Sequence, residues 1–458
     1  MANFDPSESL HRLVKHALDS GAADSLEQAE AMFRGYRLVV TIDTAERAEP
    51  QHQAALLTVV ALGRRVFLGG VQVQGDINVP LVVPMPLGQT LREAVTRLGG
   101  EIGSDWVDAP RVVIGGGPRD RREGFQVRTV VAGWRGGILP AHSELVPASS
   151  PPMPLAAMLA AALAINEAFL FVNGGVPAAG RRAVGLSLWR PEARVNWLEA
   201  DLDEPMLTYL PTRLWLIGLG HLGQAYLWGL GLLPYSNPAS VGLVLQDVDV
   251  ITPSTESTSV LSDLAMVGLK KTRAMAAWAE SRGFTSMVVE RFFDADFQRR
   301  ADEPSVALCG LDNALGRQAL DLVGFDLVVE AGLGRGHRDF RTMRLHILPG
   351  AKAASEIWKT VKGGEPIDQR PAYRKMLCEG ALDRCGVTLL AGKAVGAPFV
   401  GAVAATLALA EVLRLLHGGP IYQLIDLDLQ SLEHRVATRH PRDFSGINPG
   451  YDLAAFEP

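Results

Sequence analysis

The sequence predicts an α/β protein made of two similar halves, residues 1–205 and residues 206–458, of which only the second keeps an intact glycine-rich loop. Three observations support this expectation. One long alanine-rich helix occurs in each half, strand-like apolar runs precede each helix, and a glycine triplet follows the opening strand of the second half alone. The chain has 458 residues, about three times the ~150 residues of a typical domain, so it is long enough for two or three domains.

The composition is that of a folded protein without a basic surface. Apolar residues make up 48% of the chain and charged residues 21%, which is typical of globular proteins. The net charge of -6 argues against nucleic acid as a partner, because proteins that bind phosphate backbones concentrate lysine and arginine. The N-terminal stretch MANFDPSESLHRL has no apolar core, so neither a secretory signal nor an anchor is expected. Three cysteines without a CxxC pair fit a reducing cytoplasm.

An internal repeat organises the chain. The segment PLAAMLAAALAINEAFLFVNG (154–174) aligns without a gap on PFVGAVAATLALAEVLRLLHG (398–418). Identical pairs include the first proline, a glutamate and the last glycine: Pro154/Pro398, Glu167/Glu411 and Gly174/Gly418. Two unrelated alanine-rich helices would be the simpler explanation. However, each half also opens with a short apolar run, RLVVTID (37–43) and RLWLIGLG (213–220), so the order of elements repeats as well.

The first of these helices is apolar enough to suggest a membrane span. Asn166 and Glu167 lie in its middle, which favours a helix buried inside the protein. No membrane partner is therefore expected.

The glycine triplet of the second half has the context of a phosphate-binding loop. The apolar strand LWLI runs directly into Gly218, Gly220 and Gly223, and a helical stretch follows. Glycines allow a tight turn and close approach of a phosphate, while the helix N-terminus offers free N–H donors. The next apolar run, SVGLVLQDVD, reaches Asp247, which can accept hydrogen bonds from ribose hydroxyls. At this point a nicotinamide-dependent oxidoreductase remains an alternative.

The residues after Asp247 resemble a known signature. The stretch DVDVITPSTESTSVLSDLAMVGLKK resembles that of the ubiquitin-activating and sulfur-carrier adenylyltransferase family (ThiF type), D-x-D-x-V-x-x-S-N-x-x-R-Q followed by G-x-x-K. The matching residues are Asp247, Asp249, Ser254, Gly268 and Lys271. Downstream, VALCGLDNALGR resembles the family's strand that ends in T-D-N, with Asp312 as the acid. The resemblance covers most of residues 210–420.

The resemblance implies two Rossmann-like ThiF-type halves forming a pseudo-dimer, with ATP and magnesium bound to the second half. Lys271, together with a magnesium ion held by Asp312, would neutralise the triphosphate while a carboxylate attacks its α-phosphorus. Gly218, Gly220, Gly223, Asp247 and Asp249 would bind the nucleotide. Taken alone, Lys271 could be a solvated helix residue and Asp312 a helix cap.

Two departures from the family pattern matter. Where the family has Asn, Arg and Gln, this chain has Thr255, Thr258 and Ser259, so the usual arginine contact to the phosphates is missing. The candidates to replace it are Arg273, Arg335 and Arg12. The first half has TIDTAERAEP in place of the glycine triplet, and is therefore expected to be an inactive copy.

The cysteines distinguish between two branches of the family that this sequence resembles. Members that only adenylate sulfur-carrier proteins commonly hold zinc with two CxxC pairs, which this chain lacks. The stretch DRCGVTLLAGK instead resembles the catalytic-cysteine region of autophagy-type activating enzymes and their bacterial relatives, with Cys385 as the nucleophile of a thioester. A small buried residue is the alternative for Cys385. Cys378 is expected to be a structural cysteine on a helix, and Cys309 a core residue of a strand.

The resemblance as a whole implies an activating enzyme of bacterial ubiquitin-like conjugation operons that act in phage defence. Its partners would be a ubiquitin-like protein and a ubiquitin-conjugating-type enzyme, its catalytic-cysteine crossover loop would span about residues 353–397, and further dimerisation stays open. The alternatives are a sulfur-carrier-protein adenylyltransferase without a thioester step, a nicotinamide-dependent oxidoreductase, and a non-catalytic nucleotide-binding scaffold.

Overall fold

Two β-sheets form the frame of the protein. The computed structural model describes residues 6–103, 106–116, 123–148, 150–359, 370–378 and 384–456. Within these residues, the first sheet contains seven strands: β1 (Leu38–Ile42), β2 (Val71–Gln74), β3 (Glu101–Ile102), β4 (Arg111–Ile114), β5 (Gln126–Ala132), β6 (Arg135–Pro140) and β7 (Val184–Ser187).

The second sheet follows a short linking stretch. Over the same described ranges it contains eight strands, and a separate pair, β8 (Tyr209–Pro211) and β17 (Tyr451–Leu453), flanks it. The eight are β9 (Arg213–Ile217), β10 (Gly242–Gln246), β11 (Thr285–Val289), β12 (Val306–Cys309), β13 (Leu327–Leu333), β14 (Thr342–Leu348), β15 (Tyr422–Asp428) and β16 (Val436–Arg439).

The two sheets have the same topology over seven strands. The orders are β3-β2-β1-β4-β5-β6-β7 and β11-β10-β9-β12-β13-β14-β15-β16. In each sheet the first five strands run parallel and the following strands are antiparallel. The α/β fold class and the repeated order of elements predicted from the sequence are thereby confirmed.

Helices cover the faces of both sheets. The helices before the second sheet are α1 (Pro6–Ser9), α2 (Lys15–Ser20), α3 (Leu26–Arg34), α4 (Pro50–Gly63), α5 (Leu91–Arg97) and α6 (Pro154–Asn173). Those that follow are α7 (His221–Leu232), α8 (Pro253–Glu256), α9 (Lys271–Ser281), α10 (Ala314–Gln318), α11 (Ala354–Ile357), α12 (Pro371–Cys378), α13 (Arg384–Gly392) and α14 (Pro398–Leu416).

The repeated helices α6 and α14 form the centre of the core. Each lies between the last two corresponding strands of its sheet in chain order, each begins with proline, and the two pack against each other. Both are long and apolar enough to cross a membrane, with mean hydropathy of 2.1 and 1.9, but 89% of each apolar stretch is buried inside the protein. A helix surrounded by protein has no polar face, which explains the continuous apolar pattern.

The repeated glutamate has the same kind of partner in both helices. Glu167 on α6 pairs with Arg182 at 3.3 Å, and Glu411 on α14 pairs with Arg414, so each buried carboxylate has an arginine. Burial raises the pKa of Glu411 to about 7, against the opposing effect of Arg414. The identity at this position in the repeat therefore reflects a buried ion pair.

The N-terminal helices cross over to the second sheet's side of the molecule. Although the sequence division assigns them to the first half, α1 lies against α8 and α13, which belong to the second half. The stretch 353–397, expected to be a crossover loop, contains α11, α12 and α13 in its described parts. Helices α8 and α13 thus border the chain's N-terminal segment.

Candidate nucleotide and thiol sites

The glycine loop connects β9 to α7, as the sequence predicts. Gly218 has a φ of +83°, a conformation that side chains disfavour. A Cβ added at Gly223 would lie 2.1 Å from the Gly218 carbonyl oxygen, so only glycine permits this close packing. Gly220 is the N-cap residue of α7, and a Cβ there would lie 4.0 Å from Lys271 Nζ. The loop therefore leaves space between Gly220, at the N-terminus of α7, and the side chain of Lys271.

Asp247 and Lys271 hold the neighbouring wall of the site. The Asp247 carboxylate accepts hydrogen bonds from Leu219 N at 2.7 Å and Asp249 N at 2.8 Å. Lys271 Nζ lies 2.9 Å from Asp249 Oδ2 and 3.9 Å from Asp247 Oδ2, and its side chain is only 13% exposed. A solvated helix residue does not fit this geometry, because the ammonium group is drawn over the glycine loop.

Asp312 lies in the loop that follows β12, the strand next to β9. Because the two strands are parallel, their carboxyl ends bring Asp312 to the same sheet edge as the glycine loop. The helix cap is Asn313, whose side chain accepts a hydrogen bond from Gly316 N at 2.6 Å. The Asp312 carboxylate is exposed and has no hydrogen-bond or ion-pair partner in the described part of the chain. The capping role is thus filled by its neighbour.

A single free carboxylate suits magnesium better than a closed metal cage. Among the described residues, no group of three or more His, Cys, Asp or Glu side chains could hold a metal ion. Magnesium commonly keeps several waters and is bound by one or two carboxylates together with substrate phosphates. Asp312 at the mouth of the glycine loop fits that coordination.

Arg12 contacts the segment that carries the departures from the adenylyltransferase pattern. Its Nη2 donates to Ser254 Oγ at 3.2 Å, and its backbone N donates to Ser257 Oγ at 3.1 Å. Its Nη1 is buried without a hydrogen-bond partner in the described structure. Burial lowers the pKa of Arg12, and the negative charge of Asp312 opposes that effect. One guanidinium nitrogen of Arg12 is therefore not engaged by the protein in the described part of the chain.

The other two candidate arginines differ. Arg335 Nη1 donates to the Asp312 carbonyl oxygen at 3.4 Å, which keeps a second cation at this edge. Arg273 instead pairs with Glu290 at 2.9 Å, with a side chain that is 73% exposed. Arg12 and Arg335 thus remain candidates for phosphate contact.

The first half braces the segment that carries the departures from the family pattern. Arg65 on the C-terminal side of α4 is 2% exposed and donates to carbonyl oxygens of Glu256 at 2.8 Å and Ser262 at 2.7 Å. Ser262 Oγ in turn accepts from Gln224 Nε2 on α7 at 2.8 Å, and Gln224 also donates to the Leu219 carbonyl at 3.2 Å. Sequence reasoning missed this path, since no motif marks Arg65.

The three cysteines have different surroundings. Cys309 is buried in β12, and burial raises the pKa of its thiol to about 12, which confirms it as a core residue. Cys378 ends α12, as expected, but it is exposed rather than packed in a core. Cys385 is the second residue of α13, and its side chain lies outside the described residues. The assignment of Cys385 as nucleophile therefore stays a prediction.

Comparison with known proteins places both halves in one family. Residues 37–188 match the family description "BilD N-terminal domain", and residues 210–419 match "BilD C-terminal domain". The "Bacterial E1-like protein BilD" of Collimonas sp. (strain OK412) is 43% identical over 420 residues, which cover 91% of this chain and 90% of that protein. The chain belongs to the BilD family of bacterial E1-like proteins. The BilD C-terminal match contains the glycine loop, Lys271, Asp312 and Cys385, whereas Arg12 precedes both matches.

Solved structures give a weaker likeness than the BilD relative does. Escherichia coli MccB, crystallised with ATP, is 14% identical, with a TM-score of 0.34 over 51% of this chain and 65% of the MccB chain. PaaA is 12% identical, with a TM-score of 0.34 over 50% of this chain and 64% of the PaaA chain. This chain therefore spans slightly less than two thirds of these proteins.

Proposed function

We propose that this protein uses ATP to activate a ubiquitin-like protein. It adenylates the C-terminal carboxylate of that protein, captures the acyl group as a thioester on Cys385, and passes it to a ubiquitin-conjugating-type enzyme. The observation that carries the proposal is the meeting of the glycine loop, Lys271 and Asp312 at one edge of the second sheet, with Arg12 bonded to Ser254 of the same half. Membership of an E1-like family supports it.

The adenylation step needs cations around the triphosphate. A C-terminal carboxylate oxygen attacks the α-phosphorus, the bond to the bridging oxygen breaks, and pyrophosphate leaves with that electron pair. Lys271 over the glycine loop and the buried Nη1 of Arg12 would bind phosphate oxygens as charge develops on them. Asp312 would hold a magnesium ion, which supplies further charge neutralisation. Hydride transfer to a nicotinamide leaves the phosphates of the dinucleotide unchanged, so an oxidoreductase would not need a magnesium ion at Asp312.

The thioester step uses a different group. The Cys385 thiolate attacks the carbonyl carbon of the acyl adenylate, the carbon–oxygen bond to AMP breaks, and AMP leaves with the electron pair. A thioester remains that still transfers readily to a second thiol. A sulfur-carrier adenylyltransferase without a thioester step would need no cysteine at this position.

The two halves are proposed to act as a pseudo-dimer in which only the second binds nucleotide. In the first half, Arg47 pairs with Asp76, which follows β2 as Asp247 follows β10. A Cβ at Gly115 would lie 2.7 Å from His52 Nε2, so a histidine ring fills space beside the carboxyl end of β4. The first half thus has its own side chains where the second half has a glycine loop.

One nucleotide is therefore expected per chain. Titration of the protein with a non-hydrolysable ATP analogue and magnesium in a calorimeter should give a stoichiometry near one. Gly223→Val should abolish this binding, because a side chain there would collide with the Gly218 carbonyl. Two equivalent sites per chain would refute the inactive-copy interpretation.

Arg12 is expected to contribute to adenylation. Arg12→Ala should slow pyrophosphate exchange into ATP on the order of a hundredfold, the typical effect of losing one preorganised charge-stabilising group. Arg273→Ala is the matched control, since Arg273 is exposed and paired with Glu290, and exchange should stay unchanged. Equal rates in the two variants would remove Arg12 from the phosphate site.

The setting of this reaction is also part of the proposal. Partners of the stated kinds, a ubiquitin-like protein and a conjugating-type enzyme, would act with this chain in the cytoplasm during phage defence. Genes for a small β-grasp protein and a conjugating enzyme beside this one would support the proposal, and a neighbourhood without them would count against it.

A further inference from the structure

A buried ionic cluster surrounds Asp19, which lies near the C-terminal end of α2. Lys15 Nζ lies 2.5 Å from Asp19 Oδ2. Arg370 Nη1 lies 2.7 Å from Asp19 Oδ1, and the Tyr373 hydroxyl donates to the same oxygen at 2.5 Å. The side chains of Lys15 and Asp19 are 1% and 3% exposed. One buried carboxylate thus accepts hydrogen bonds from Lys15 and Tyr373 and forms an ion pair with Arg370.

The partners of Asp19 come from distant parts of the chain. Lys15 belongs to the same helix, whereas Arg370 immediately precedes α12 and Tyr373 lies on it. Burial lowers the pKa of Lys15 while Asp19 opposes that effect, and burial raises the pKa of Tyr373. Tyr373 therefore stays a hydroxyl donor at neutral pH. The cluster joins the N-terminal segment to a helix that lies more than three hundred residues later.

Helix α12 is followed in the chain by α13, the helix that contains the proposed nucleophile. Helix α12 packs against α13, which carries Cys385 on its backbone, and α13 also lies against α1. The same N-terminal segment supplies Arg12, whose side chain donates a hydrogen bond to Ser254 on α8, within the segment that resembles the adenylyltransferase signature. One short stretch of chain therefore touches both the adenylation site and the helix pair that bears the thiol.

A buried polar cluster is an energetically costly way to hold a helix in place. Well-packed apolar side chains often stabilise as well as a buried ion pair, because charges lose their hydration on burial. What the Asp19 cluster adds is direction, since the hydrogen bond from Tyr373 and the ion pair with Arg370 hold only while α12 keeps one position and orientation. The cluster therefore indicates that α12 must keep a defined position, and not only that the fold must be stable.

We propose that Asp19 is a positioning residue for the thioester step. By accepting a hydrogen bond from Tyr373 and forming an ion pair with Arg370, while Lys15 adds a second positive charge, it holds α12, and through α12 the start of α13, at a fixed place relative to the nucleotide site. The catalytic consequence rests on the proposed function. The structural consequence, a fixed α12, does not.

Two variants test this role. Asp19→Asn keeps the shape but removes the charge, and Tyr373→Phe removes one hydrogen bond while leaving the ion pairs, so it is the milder change if Asp19→Asn fails to fold. Both should keep the rate of pyrophosphate exchange and slow single-turnover thioester formation roughly tenfold to a hundredfold, as a misplaced reacting group does. Glu30→Gln is the control, because Glu30 and its exposed ion-pair partner Arg34 both lie on α3, the helix after α2.

Hydrogen exchange supplies a readout that does not depend on activity. Backbone amides of α12 should exchange faster in Tyr373→Phe and Asp19→Asn than in the wild type, while those of α14 stay protected. Unchanged α12 exchange in a folded variant would overturn the proposal. A parallel loss of pyrophosphate exchange and thioester formation would also overturn it, since a general defect moves both. If the wild type forms no adenylate with any ubiquitin-like protein, the proposed function fails, and the α12 comparison still decides the role of Asp19.

Discussion

Asp312→Ala is expected to lower magnesium-dependent pyrophosphate exchange into ATP by two orders of magnitude or more. The substitution removes the free carboxylate at the mouth of the glycine loop, at the point where negative charge accumulates on the triphosphate. The measurement is the incorporation of labelled pyrophosphate into ATP with a cognate ubiquitin-like protein, across a magnesium titration. We expect the residual activity to require a higher magnesium concentration.

A second aspartate provides the control for this prediction. Asp302 is 77% exposed and pairs loosely with Arg300 at 3.5 Å, so Asp302→Ala changes the net charge equally without touching the site. It should leave exchange and its magnesium dependence unaltered. Unchanged exchange in Asp312→Ala would remove Asp312 from the metal site and leave Lys271 and Arg12 as the cations that act on the triphosphate.

Cys385→Ala is expected to keep pyrophosphate exchange and abolish the thiol-sensitive adduct with the ubiquitin-like protein. Adenylation and thiol attack are sequential steps that use separate groups, so removing the nucleophile stops only the second. The adduct is measured on a non-reducing gel. Cys385→Ser should trap an ester that resists thiols but is cleaved by alkali, and it should form slowly because a hydroxyl is a poorer nucleophile at neutral pH.

Cys378 is the matched control for the thiol. It is the other cysteine near this region and is exposed at the end of α12, so Cys378→Ala should keep both exchange and adduct. If Cys378→Ala lost the adduct while Cys385→Ala kept it, the nucleophile would have been assigned to the wrong residue. If both variants formed the adduct, the thioester mechanism at these positions would be wrong.

The local parts of the site could be predicted from the sequence because they depend on neighbouring residues. A strand, three glycines and a helix define the loop around Gly218 whatever surrounds them, and the neighbouring strand brings Asp247 to the same edge. The repeated helices could also be predicted from the sequence, since burial on every side leaves an unbroken apolar pattern. Periodicity and motif spacing are therefore enough for these elements.

The rest depends on contacts between residues far apart in the chain. Thr258 stands where the signature that this segment resembles has an arginine, and Arg12, more than two hundred residues away in the chain, lies beside the same Gly396 as Thr258. Arg65 and Asp19 likewise act through partners that no spacing rule connects to them. The division at residue 205 could not anticipate that the N-terminal helices lie against the second half, because their own sequence carries no sign of that neighbour.

This chain is proposed to adenylate the C-terminus of a ubiquitin-like protein. The most direct measurement is pyrophosphate exchange into ATP by the wild-type protein, with the β-grasp protein encoded nearest to it, bearing either a free or an amidated C-terminal carboxylate. We predict magnesium-dependent exchange with the free carboxylate and none with the amide, because the carboxylate is the attacking group. No exchange with either form, together with tight binding of a nicotinamide dinucleotide at the glycine loop, would contradict the proposed function.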